Sequence, residues 1–142
     1  MTLNVRPEFN RDLIRAYGGP IELKWVDWTP TIGASGGSVA NTSITYAKYL
    51  RFGAACHIIG NFSTDTSTTP SYITVTLPFT TENLGSFQGG VGSGFDGSDH
   101  MAFANPRDNS TEMRLYKYDF STWADRIGAR FSFNLLYNCV DT

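Results

Sequence analysis

From Ile21 onward, apolar and polar residues alternate with a period of two, as in a strand whose faces meet different surroundings. Ile21, Leu23 and Trp25 alternate with Glu22, Lys24 and Val26, and Pro30 with the Gly33–Gly37 run ends the pattern. Ile44, Tyr46, Leu50 and Phe52 mark a second β region, with a kink expected near Ala47 and Lys48. Gly53 turns or bulges the chain into Ala54–Phe62, where Cys56, Ile58 and Gly60 share one face and His57, Ile59 and Asn61 the other. Seven Ser or Thr residues between Ser63 and Ser71, with Asp65 and Pro70, predict a polar hairpin loop. Ile73, Val75 and Leu77 then alternate cleanly with Tyr72, Thr74 and Thr76 up to Pro78. A glycine-laden strand over Leu84–Gly89 is expected to bulge. A loop over Gly92–Ser98 and strands over His100–Ala104, Glu112–Tyr118 and Ala129–Cys139 follow. Only Ser121–Arg126 looks briefly helical. Eight or nine short strands separated by turn chemistry predict an all-β fold, an antiparallel, jelly-roll-like β-sandwich.

Residues 1–20 depart from this pattern. Arg6, Glu8, Arg11, Asp12 and Arg15 crowd charge around the aliphatic pair Leu13 and Ile14. Pro7 can open one or two helical turns running to Tyr17, with Gly18, Gly19 and Pro20 ending them. A helix that short does not stand alone, so the segment reads as an arm that packs on something else. Its candidate contact residues are Arg6, Phe9, Arg11, Leu13, Ile14, Arg15 and Tyr17. The expected organisation is an anchoring arm over 1–20 and one β-sandwich domain over 21–142.

Composition narrows the function. With 41% hydrophobic and 14% aromatic residues in 142, the chain has the apolar material that disordered polymers lack. Its 17% charged residues fall below the ~25% usual in soluble domains. A net charge of −2 and no run of Lys or Arg argue against a nucleic-acid partner. No apolar stretch approaches the ~20 residues of a membrane helix, and Met1–Pro7 lacks the apolar core of a secretory signal. Between Thr29 and Gly94 the charged residues are Lys48, Arg51, Asp65 and Glu82 alone, which leaves little material for catalysis.

Each candidate reactive group has a plainer reading. Cys56 and His57 are adjacent, but neighbours on a strand point to opposite faces and cannot form a nucleophile–base dyad. Cys56 and Cys139 read either as two buried small hydrophobes or as one bridge between a central strand and the last. Asp96, Asp99 and His100 lie in a glycine-rich stretch; the spacing matches no specific metal motif, and the aspartates suit turn-capping hydrogen bonds. No phosphate-binding glycine motif, nucleophile elbow or selected pair of carboxylates is present. A non-enzymatic protein without metal or cofactor is expected. Most aromatics suit packing; Arg114, Tyr116 and Tyr118, expected on one strand face, form a candidate strip for a glycan or protein surface.

The segments Trp28-Thr29-Pro30-Thr31-Ile32, Tyr46-x-Lys48-Tyr49-x-x-Phe52-Gly53 and Tyr72–Pro78, with the closing Arg130–Tyr137, resemble a β-sandwich module of tailed-bacteriophage virion proteins. That module recurs in tail fibres, receptor-binding proteins, head fibres and capsid decoration proteins. The resemblance spans about residues 25–139; the turn reads Phe52-Gly53-Ala54 where the module often carries an aliphatic, glycine and lysine. It implies a virion protein made in the host cytoplasm, a homotrimer, and contacts with a major capsid protein or other virion proteins. A short arm before a single display module suits a capsid decoration or cement protein. The alternative is a tail-fibre or spike module that binds a host surface glycan or protein.

Overall fold

The computed structural model describes residues 24–83 and 89–140. The arm expected over 1–20, with its candidate contact residues Arg6, Phe9, Arg11, Leu13, Ile14, Arg15 and Tyr17, lies outside them. So do Ile21–Leu23 and all but Gly89 of the strand expected over 84–89.

The described residues form nine strands: β1 (Val26–Asp27), β2 (Ile32–Ser35), β3 (Ser38–Phe52), β4 (Ala55–Ser67), β5 (Tyr72–Thr76), β6 (Gly90–Phe95), β7 (Asp99–Pro106), β8 (Glu112–Lys117) and β9 (Arg126–Asn138). The all-β class is therefore as expected. All pairings are antiparallel, in one continuous sheet of order β1-β3-β4-β9-β6-β7-β8-β5-β2. The sheet is curled. Residues 28–31 carry the chain from β1, at one end of the order, to β2 at the other, and so short a link spans less than about 20 Å even when extended. A turn at Gly36 and Gly37 then returns the chain from β2 to β3, and β2 lies against β3.

The inward positions follow from the alternation. Cys56, Ile58 and Phe62 on β4, Met113 and Leu115 on β8, and Phe131, Phe133, Leu135 and Tyr137 on β9 are buried. They form one core with Ile73, Val75, Leu77 and Trp123. Phe62 stacks on Phe131 at 5.3 Å, and Trp123 meets Phe131 edge-on at 5.0 Å.

Four local expectations are corrected. The break expected over Gly33–Gly37 contains β2, and the loop expected over Gly92–Ser98 begins as β6. In β6, Gly92 and Gly94 face the inside of the curled sheet. An added Cβ on Gly94 would stand 2.5 Å from the Trp123 ring, and one on Gly92 would collide with the Ser132 carbonyl. The polar run from Ser63 is strand as far as Ser67. Its inward hydroxyls are satisfied, Thr64 donating to the Ala40 carbonyl (3.0 Å) and Thr66 to that of Ala124 (2.8 Å), so the missing apolar residues cost it little. Residues 121–125 form no helix; Trp123 anchors them through its backbone N–H to Pro70 and its indole N–H to Leu115. The irregularities of β3 fall at Ala40/Ser43 and Ile44/Tyr46, slightly before the expected kink.

Candidate functional site

On β8 the outward residues are Glu112, Arg114 and Tyr116. The Arg114 guanidinium lies 4.2 Å above the Tyr72 ring, donates to Glu112 Oε2 at 3.0 Å and reaches the Tyr116 hydroxyl at 3.3 Å. Burial works against its charge, but the Tyr116 and Glu112 contacts outweigh this and hold its pKa above the ordinary arginine value. Tyr72 and Tyr116 are 5.2 Å apart, Tyr116 and Phe120 5.5 Å, and Phe120 stacks on Phe103 at 5.7 Å. Phe120 is held at a positive φ of 60° and is 64% exposed. Arg114 and Tyr116 thus stand together as expected, within a row that also takes in Tyr72, Phe120 and Phe103. Tyr118 stands apart: it follows the last residue of β8, and its ring stacks on His100 at 6.0 Å. Tyr72 and Phe103 were legible as outward positions of their own strands; what the sequence did not show is that β5 and β7 flank β8.

A second outward feature crosses β3, β4, β9 and β6. Tyr46 pairs with Asn61, Asn61 with Ser132, and Ser132 with Ser93. The two serine hydroxyls are 2.7 Å apart. Because Ser93 and Ser132 are short, two adjoining depressions open there, of about 280 and 520 Å³. One is bordered by Asp99, Arg130 and Phe95, the other by Tyr46, Val91 and Asn134. Arg130 and Arg126 both lie over the Phe95 ring, at 4.9 and 5.1 Å.

The residues weighed for chemistry are arranged otherwise. Asp96 is buried and receives three groups: His100 Nε2 at 3.0 Å, Lys117 Nζ at 3.1 Å and the Ala124 N–H at 2.7 Å. Burial alone would raise its pKa; the Ala124 N–H and the Lys117 ammonium, with His100 adding to them, outweigh it and hold the carboxyl below the usual range. Asp99 is exposed at the border of the smaller depression. Among the described residues, no group of three or more His, Cys, Asp or Glu is placed to hold a metal ion.

Cys56 faces the core while His57 faces outward, its Nε2 2.7 Å from Asn134 Oδ1. Cys56 and Cys139 are both buried, as thiols and not as a disulfide. Burial pushes the Cys56 thiol up to about 11, against its hydrogen bond with Tyr137, and burial raises the Tyr137 phenol as well. A thiol so placed carries almost no nucleophilic thiolate at neutral pH.

Comparisons with protein-family models, curated proteins and solved structures find no match for this chain.

Proposed function

We propose that this chain is a non-enzymatic structural protein of a tailed-phage virion that decorates the capsid, docking through residues 1–20 and presenting the curled β domain outward. The observation that supports the reading is the division between the two faces of the sheet. The inner face is packed by core side chains, while the outer face carries the row Arg114, Tyr72, Tyr116, Phe120 and Phe103. Aromatic side chains on a rigid sheet supply contact area at small ordering cost, which suits a part whose work is adhesion. The resemblance to virion modules supplies the setting and implies a homotrimer. Deleting residues 1–20 should abolish binding to purified capsids while leaving the urea unfolding midpoint of the remaining chain unchanged. Full capsid binding by the truncated chain would overturn the assignment.

A second reading, a receptor-binding module, is favoured by the polar trough over Ser93 and Ser132. It predicts that free protein competes with phage adsorption to host cells.

A further inference from the structure

We propose that the trough across β4, β9 and β6 is a binding site for a neutral saccharide. The proposal rests on the receptor-binding reading and names its ligand class and its place on the molecule.

The first argument is the chemistry of the lining. Ser93, Ser132, Asn61 and Asn134 each carry groups that donate and accept hydrogen bonds, and they converge from three adjacent strands. Sugar hydroxyls also do both, so such a set can satisfy them in more than one orientation. The charged members of the lining are one cation, Arg130, and one anion, Asp99, which leaves no excess charge to select an anionic ligand. The strand amides beneath are paired in the β6–β9 and β4–β9 ladders and offer no cluster of free N–H groups such as phosphate requires.

The second argument is shape. Sugars present a polar edge and an apolar C–H face. The larger depression offers both kinds of surface, with Tyr46, 40% exposed, and Val91, 57% exposed, beside Asn134 and the serines. The volumes of about 280 and 520 Å³ lie just below and in the lower half of the ~300–1,000 Å³ of ligand clefts, room for one or two rings. The trough is also preorganised. Its polar groups stand on paired strands, Arg130 is held over Phe95, and His57 fixes the Asn134 carboxamide, so little ordering remains to be done on binding.

The test is titration of the full-length, isotope-labelled chain with neutral disaccharides terminating in glucose, galactose or N-acetylglucosamine, each to about 10 mM, followed by amide chemical shifts. The expected result is a saturable shift at Asn61, Ser93, Ser132 and Asn134 with at least one sugar. Asn61→Ala should weaken that binding tenfold or more, and Tyr116→Ala should leave it unchanged. Should Asn61→Ala fail to fold, Ser93→Gln, which fills the trough from an exposed position, serves in its place. Shifts confined to Tyr72, Tyr116 and Phe120 would overturn the proposal in favour of the aromatic row. No shift with any of these sugars at 10 mM would also overturn it. Adsorption competition by the free protein tests the receptor reading separately: competition that persists in the Ser93→Gln chain would keep that reading and reject the trough.

Discussion

Asp96 is the residue whose surroundings most constrain its behaviour. Its carboxylate meets His100, the buried Lys117 and the Ala124 N–H, and together these hold its pKa below the ordinary value. A carboxyl whose folded pKa is lowered adds stability that is fully present above its unfolded pKa, about 3.9, and that is lost as pH falls through the lowered folded value. The expected outcome is a steep loss of stability below about pH 4, read as urea midpoints from pH 7 to 2.5. Asp96→Asn should cost about 3 kcal/mol at pH 7, because it leaves the Lys117 ammonium buried without its partner, and should make the acid loss shallower. It should not abolish that loss, since Asp65 and Asp119 are also held low, by Asn41 and the Gly128 N–H and by Ser121. An Asp96→Asn chain with the parental pH profile would refute the account. Half of this cluster was legible. Lys117 continues the inward register of Met113 and Leu115, so its burial follows from the alternation of β8. That Lys117 and the Ala124 N–H converge on Asp96 depends on the path of residues 118–125, which no local pattern encodes.

At the scale of elements, the alternating stretches around Cys56–Phe62, Tyr72–Thr76, Glu112–Lys117 and Ala129–Asn138 were legible because packing on one face and exposure on the other imprint a period of two. The Gly33–Gly37 and Gly92–Ser98 stretches read as a break and a loop because glycine marks both turns and close backbone approach. Two glycines separate the meanings. Gly53 sits at φ +62° with nothing near the position of a Cβ, whereas Gly92 is extended and its Cβ would meet the Ser132 carbonyl. Gly53→Ala should therefore cost only the left-handed backbone penalty, about 1–2 kcal/mol. Gly92→Ala should cost about 3 kcal/mol or more, because a strand backbone has to move away from β9. Denaturant titration of the two variants checks this ordering. Equal costs would mean that β6 is not held against β9 by its glycines.

At the scale of the whole molecule, the curl has a seam. Among the described residues no ladder pairs β1 with β2, and the two ends of the sheet are joined instead by the segment between them. The Trp28 backbone N–H donates to Ala47 on β3, while its indole N–H donates to the Thr76 carbonyl at the end of β5, 3.2 Å away. The Thr31 N–H donates to the Thr76 hydroxyl at 2.7 Å. The Trp28 ring packs edge-on against Tyr49 and Phe133, so one side chain touches both ends of the sheet and its centre. Because the β3–β4–β9 pairings are long ladders and the seam rests on a few loop bonds, local opening should begin at the seam. Native-state hydrogen exchange should then find the lowest protection in β1 and β2 and the highest in β4 and β9. Trp28→Phe keeps a ring in the pocket but removes the indole N–H, leaving Thr76 without that donor. It should lower global stability by about 1 kcal/mol and accelerate exchange at β2 and β5 more than at β4 and β9. A uniform change in exchange across all nine strands would mean that the sheet opens only as a unit and that Trp28 contributes packing, not closure.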